Sequence, residues 1–174
     1  MIFVRSIIYI TKYEKYKKER QITMMFKQTR DILTVLQQQY AQIIDYFDCL
    51  EDKTDRQRIL QLLELEKKRH NEIREIIGRY KREEYKAILE TWIQFSAEGS
   101  LDKELEKFQI RPDFSIEEVM NVSVALDNWL EDMLKDLIDK SPSTRARELF
   151  DSLLEVMVQE KKQLSTDYAL ANDL

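Results

Sequence analysis

Glu66 and His70 are the two residues whose types and spacing suggest a chemical site in this sequence. They lie four positions apart within 62–73 (LLELEKKRHNEI), a spacing that puts both side chains on one face of an α-helix. His70 is the only histidine of the chain. Together with Glu66 and His70, the apolar residues of this face are spaced by four and three residues in turn. They are Ile59, Leu63, Ile73, Ile77 and Tyr80. A carboxylate and an imidazole are therefore predicted to point into a hydrophobic core.

Each of three other predicted helices also has a polar residue on its apolar face. These residues are Gln39, Asp127 and Glu160. A buried carboxylate without a partner is costly, so such groups pair with a cation, bind a metal ion or stay partly solvated. Carboxylates and one imidazole that converge inside a bundle suit a single iron, manganese or zinc ion. The pattern thus predicts a metal site whose ligands are Glu66, His70, Asp127 and Glu160.

The same residues also fit an interpretation without a metal ion. In it, the side chains of Glu66 and Glu160 form hydrogen bonds and ion pairs inside the core. Their candidate partners are Arg69, Gln39 and His70. The sequence leaves both interpretations open. It does not favour hydrolysis or nucleotide chemistry, because it has no nucleophile at a recognisable spacing from His70 and no glycine-rich phosphate loop.

The composition predicts that helices carry these residues. The 174-residue chain has two glycines and two prolines, and charged residues make up 35% of it. Four helical patterns follow one another, at about 26–51, 54–86, 115–140 and 142–171. Capping boxes at 54–57 (TDRQ) and 115–118 (SIEE) are predicted to start the second and third helices.

The connection 87–114 is long enough to run the length of a bundle, whereas the other two connections are short. We therefore expect an all-α four-helix bundle made of two helical hairpins joined by a long crossover. The chain length suits one domain, 24–174. Residues 1–23 are predicted to be an N-terminal extension. Their apolar part is too short to span a membrane and is interrupted by Arg5.

Charge and cysteine content exclude several classes of protein. The net charge is −5, and acidic and basic residues are mixed along the chain, so we expect no nucleic-acid binding. The single cysteine, Cys49, cannot form an intramolecular disulfide. This favours a reducing compartment and predicts a cytoplasmic location.

The four helical patterns, together with the polar residues on their apolar faces, resemble the ferritin-like superfamily, and in particular its rubrerythrin-related branch. In that branch the first and third helices each supply a glutamate followed seven residues later by a tyrosine. The second and fourth helices each supply Glu-x-x-His, and the resulting site holds two metal ions. The resemblance covers about 26–171 and includes the crossover. It implies a ferritin-like four-helix bundle that forms a dimer.

The ligand positions of the family are filled only in part. Gln39 stands at the first glutamate position, with Tyr46 seven residues later, and Asp127 stands at the other glutamate position. The second helix has Glu66 and His70 at a spacing of four, with Arg69 where the histidine of the family would fall. In the fourth helix, Glu160 is followed by Gln163 in place of histidine, and Leu134 replaces the second tyrosine.

From this incomplete set we expect a helical bundle with a degenerate di-metal site. It would be non-catalytic and act by association, as a homodimer formed through the outer faces of its helices. The alternative is a ferritin-like protein that binds iron, manganese or zinc and has oxidoreductase or metal-storage activity.

Overall fold

Four long helices and a short two-stranded ribbon dominate the computed structural model, which describes residues 25–95, 101–108, 111 and 113–172. The long helices are α1 (Thr29–Glu51), α2 (Gln57–Arg79), α5 (Ile116–Lys140) and α6 (Thr144–Asn172). Two short helices, α3 (Lys86–Leu89) and α4 (Leu101–Leu105), and a 3-10 turn at Glu83–Tyr85 lie between α2 and α5. The strands are β1 (Met25–Gln28) and β2 (Trp92–Phe95). The prediction of a mostly helical chain is confirmed.

The apolar faces of the four long helices meet in one core. Its largest fully buried side chains are Tyr40, Phe47 and Phe150. The residues predicted to face inward on α2 are buried, except for Tyr80, which is half-buried. The polar residues Glu66, His70, Ser123 and Asp127 are as deeply buried as the leucines around them. The helical periodicity therefore identified the core face correctly.

Residues 26–28 were predicted to be helical, but they belong to β1. This strand pairs antiparallel with β2, with Met25 opposite Phe95 and Gln28 opposite Trp92. The Thr29 backbone N–H and hydroxyl then donate to the carbonyl oxygen of Thr91 at 2.9 and 3.1 Å, which ties the start of α1 to the end of the connection. Such pairing has no local sequence signal, because the two strands are far apart in the chain.

The two predicted capping boxes have different outcomes. Ser115 caps α5 in the expected manner, since its hydroxyl accepts from the Glu118 N–H and the Glu118 carboxylate accepts from the Ser115 N–H. The capping box at 54–57 is wrong, because α2 begins at Gln57 with Arg56 as its N-cap and has no side-chain cap. The Thr54 hydroxyl instead accepts from the N–H of Arg56 at 3.3 Å. The predicted extension of this helix to 86 also ends early, at Arg79.

Contacts between α2 and α5 show that these helices run in the same direction. At the start of α2, Arg56 donates to the carbonyl oxygen of Phe114, just before α5. Further along, Ser123 of α5 contacts Glu66, and Asp127 contacts Arg69. The chain between α2 and α5 therefore returns along the molecule, as the length of the predicted crossover implies.

Residues 1–23, predicted to be an extension, lie outside the described residues. Within the described part of the chain, no helix is both long and apolar enough to cross a membrane.

Candidate functional site

A buried cluster of charged and polar side chains lies between α2 and α5. Its centre is the guanidinium group of Arg69, whose Nη2 donates to Glu66 Oε2 at 2.7 Å and to Asp127 Oδ1 at 3.0 Å. Arg69 Nε also lies 3.2 Å from Glu66 Oε2. The Ser123 hydroxyl donates to the other carboxylate oxygen of Glu66. Two carboxylates thus share one cation inside the core.

The helical geometry of α2 explains why three of these residues meet. Positions 66, 69 and 70 lie on one face, because residues three and four apart are neighbours on a helix. The exposed fractions of Glu66, Arg69 and His70 are 0%, 4% and 0%. Arg69 is long enough to fold back along the helix toward Glu66 and to reach across to Asp127. Because α5 runs parallel to α2, Ser123 lies beside Glu66 and Asp127 lies beside Arg69.

His70 is packed among aromatic rings. The ring of Phe47 stacks on it with centroids 5.8 Å apart and an interplanar angle of 21°, and the ring of Tyr40 lies 5.6 Å away. His70 Nε2 lies 3.2 Å from Arg69 Nη2, which can only donate, so Nε2 is the unprotonated nitrogen. Burial, and secondarily the charge of Arg69, keep the pKa of His70 well below its usual value. His70 is therefore neutral, with its proton on Nδ1.

The electrostatics of the cluster follow from two negative charges and one positive charge. Burial raises the pKa of Asp127 to about 6, and the charge of Glu66 adds to this effect, while Arg69 and Lys161 oppose it. Burial lowers the pKa of Arg69, but Glu66 and Asp127 outweigh burial and raise it. Burial, together with the charge of Asp127, raises the pKa of Tyr40 above its usual value. Arg69 is thus a permanent cation, and Asp127 is protonated more easily than an ordinary aspartate.

Four buried polar atoms of α1 and α2 have no hydrogen-bond partner among the described residues. They are Gln39 Oε1, Tyr40 OH, Arg69 Nη1 and His70 Nδ1. All four belong to α1 or α2. An unpaired buried polar atom costs about 1–3 kcal/mol. Arg69 thus pairs with both carboxylates, but part of the hydrogen-bonding capacity of α1 and α2 is unused among the described residues.

The structure brings together three of the four predicted metal ligands. Glu66, His70 and Asp127 surround the guanidinium group of Arg69. Glu160 takes no part in these hydrogen bonds and is half-buried on α6. Gln163, at the family's histidine position, is exposed, and Gln39 is buried on α1.

This arrangement does not fit a metal centre. The guanidinium group lies between the carboxylates, where a metal ion would need to bind, and its positive charge already offsets one of their two negative charges. In the part of the chain that the structure describes, no group of three or more histidine, cysteine, aspartate or glutamate residues is placed to hold a metal ion. The ion pair between Glu66 and Arg69 that the interpretation without a metal ion named is present in the core, at 2.7 Å.

Sequence reasoning named Arg69 as a partner of Glu66, but it missed the contact of Arg69 with Asp127 and that of Ser123 with Glu66. A signal for the first was present, since Asp127 was already assigned to the apolar face of its helix and a buried carboxylate needs a cation. Ser123 gave no comparable signal, because a small hydroxyl on an apolar face fits many environments.

Comparisons of the chain with protein-family models, with curated proteins and with solved structures find no match. The likeness to ferritin-like proteins therefore rests on the pattern of residues.

Proposed function

We propose that this protein is a non-catalytic helical bundle with a ferritin-like plan and that it acts by association as a homodimer. In this proposal the ion pairs of Arg69 replace a metal centre. The observation that supports the non-catalytic role is the position of the Arg69 guanidinium, which donates to both Glu66 and Asp127.

A guanidinium group differs from a bound metal ion in ways that matter for function. It is covalently attached, keeps its charge at all physiological pH values and cannot change oxidation state. It offers no open coordination position to a substrate. Enclosed by Glu66, His70 and Asp127, it stabilises two buried carboxylates and connects α2 to α5. These properties favour a structural role for the cluster.

We propose that association uses the face of the ribbon that carries Phe26 and Trp92, instead of the outer faces of the helices predicted from the sequence. These two side chains are 62% and 56% exposed. In the antiparallel register they lie on the same face as Gln28 and Gln94, so this face has no formal charge. Charged residues are depleted at the centres of protein interfaces, and aromatic residues are enriched there. Since 35% of the residues are charged, a surface without charge stands out on this chain. We propose that this face packs against the same face of a second copy.

The metal content of the purified chain tests the structural role of the cluster. The protein is grown with iron, manganese and zinc and then analysed for each element, beside Glu66→Ala and the matched control Glu72→Ala, which changes an exposed glutamate of α2. We expect less than about 0.1 equivalent of metal in all three proteins. About one equivalent in the wild type and in Glu72→Ala, lost in Glu66→Ala, would instead establish the metal-binding alternative.

Sedimentation equilibrium tests the association. We expect a concentration-dependent dimer for the wild type and a monomer for the Phe26→Ser/Trp92→Ser double variant. Leu65→Ser, which removes an exposed apolar side chain from α2, is the matched control and should remain a dimer. A wild type that is monomeric at every concentration would refute the proposed association.

A further inference from the structure

A pocket of about 350 Å³ lies between the end of α1, the segment after α4 and the first turns of α5. Its floor consists of the buried apolar side chains of Leu50, Phe114, Val119 and Val122. The half-buried rings of Tyr46 and Phe108 extend this apolar surface toward the opening. Small-molecule sites commonly have this size and this mostly apolar lining.

The rim of the pocket is polar and carries more positive than negative charge. Lys107 and Arg111 are exposed cations on the rim, and Glu118 is the acidic residue there. Glu118 already accepts hydrogen bonds from Arg111 Nη2 at 2.6 Å and from the Ser115 N–H at 2.7 Å. Lys107 Nζ likewise lies 2.5 Å from Glu104 Oε2, so both cations are paired within the protein. Because Lys107 and Arg111 are exposed, these ion pairs are weak, and a ligand carboxylate can replace Glu104 or Glu118 as a partner at small cost.

The volume limits the size of a ligand. Since a water molecule takes about 30 Å³ in the liquid, the pocket can hold roughly a dozen non-hydrogen atoms. We propose that this pocket binds a small apolar monocarboxylate of about ten to twelve non-hydrogen atoms. The carboxylate lies near Lys107 and Arg111, and the apolar part lies against Phe114, Val119 and Val122. This inference is independent of the association proposed above, because the pocket and the ribbon use different residues.

Isothermal titration calorimetry of the full chain with four probes tests the proposal. Decanoate and 3-phenylpropionate represent linear and aromatic acids, and decanol and decylamine replace the carboxylate by a neutral or a cationic group. We expect saturable binding at one site for at least one acid, about tenfold tighter than for decanol. No saturable binding of either acid, or equal binding of decylamine, would overturn the proposal.

Variants locate the site. Asn121→Trp places a large ring at the exposed rim of the pocket and is expected to abolish binding while leaving the thermal unfolding transition in place. The Lys107→Ala/Arg111→Ala double variant should weaken acid binding about tenfold. Lys103→Ala, on the exposed surface of α4, is the matched control and should bind as the wild type does. Unchanged binding by both pocket variants would place the ligand elsewhere and overturn the proposal.

Discussion

Arg69 of α2 and Asp127 of α5 are joined by a 3.0 Å hydrogen bond between buried side chains. The same nitrogen, Nη2, lies 2.7 Å from Glu66 Oε2. One arginine therefore stabilises two carboxylates in the core and links two parallel helices. The predictions about this cluster follow from the fact that each charge depends on the others.

Removing the cation should be strongly destabilising. Arg69→Met leaves Glu66 and Asp127 buried without a counter-charge, and we expect the free energy of unfolding to fall by about 3–5 kcal/mol in urea denaturation. Lys68→Met, at an exposed neighbouring position, should change it by less than about 0.5 kcal/mol. Replacing all three charged residues, in Glu66→Leu/Arg69→Met/Asp127→Leu, should recover most of the loss. A cost below about 1 kcal/mol for Arg69→Met would mean that the carboxylates are neutral or solvated.

Removing the guanidinium should also create a metal site. In Arg69→His, an imidazole replaces the cation beside Glu66, His70 and Asp127, which gives two nitrogen and two carboxylate ligands. We expect Zn²⁺ to raise the melting temperature of this variant and to leave that of the wild type unchanged, with EDTA reversing the effect. The Arg69→His/Asp127→Asn variant should respond less. If the wild type and Arg69→His respond alike, then Arg69 is not what prevents metal binding.

The raised pKa of Asp127 predicts a specific pH dependence. Because its pKa is about 6 in the folded protein and 3.8 ordinarily, the folded state binds the proton more tightly than the unfolded state. This contribution to stability is fully present below about pH 3.8 and is lost as the pH rises through about 6. We expect urea denaturation to show that the wild type loses about 2.4 kcal/mol of unfolding free energy relative to Asp127→Asn between pH 4 and pH 7.

The matched control for this series is Asp132→Asn, which changes an exposed aspartate of the same helix. Its difference from the wild type should stay nearly constant over the same pH range. A constant difference for Asp127→Asn as well would show that Arg69 holds the pKa of Asp127 near its ordinary value.

His70 should have the opposite effect. Its pKa is lowered in the folded protein by burial and by Arg69, so its contribution to stability is present above about pH 6.5 and is lost as the pH falls. His70→Phe keeps a ring between Tyr40 and Phe47 but cannot be protonated. Below pH 6.5 the wild type should lose stability relative to this variant by up to about 1.4 kcal/mol per pH unit, measured by urea denaturation. If the unfolding free energies of the wild type and His70→Phe change in parallel with pH, then the pKa of His70 is not lowered in the folded protein.

The two hydroxyl residues predicted to cap helices should differ in their effect on stability. Ser115→Ala removes the hydroxyl that accepts from the Glu118 N–H, while the backbone N–H of residue 115 can still donate to the Glu118 carboxylate, and the change should cost about 1 kcal/mol in thermal or urea unfolding. Thr54→Ala removes two exposed contacts, in which the Thr54 hydroxyl accepts from the backbone N–H and from Nε of Arg56, and should cost a few tenths of a kcal/mol. Equal costs would contradict the N-terminus of α2 described here.

The sequence by itself determined the four long helices and their inner faces. Periodicity is a local property, so Glu66, His70 and Asp127 could be assigned to the core without knowing what they contact. The capping box at Ser115 was readable for the same reason, since its residues are three positions apart.

Only the tertiary structure decided which groups meet. Arg69 has a long side chain that can reach solvent or the core, and Ser123 and Asp127 of α5 fix it inside because α5 runs parallel to α2. Glu160 fits the same sequence pattern as Glu66, yet it is only half-buried. The pairing of β1 with β2 likewise joins distant segments. Periodicity fixes the direction of a side chain within its own helix, whereas its partners depend on the packing of the helices.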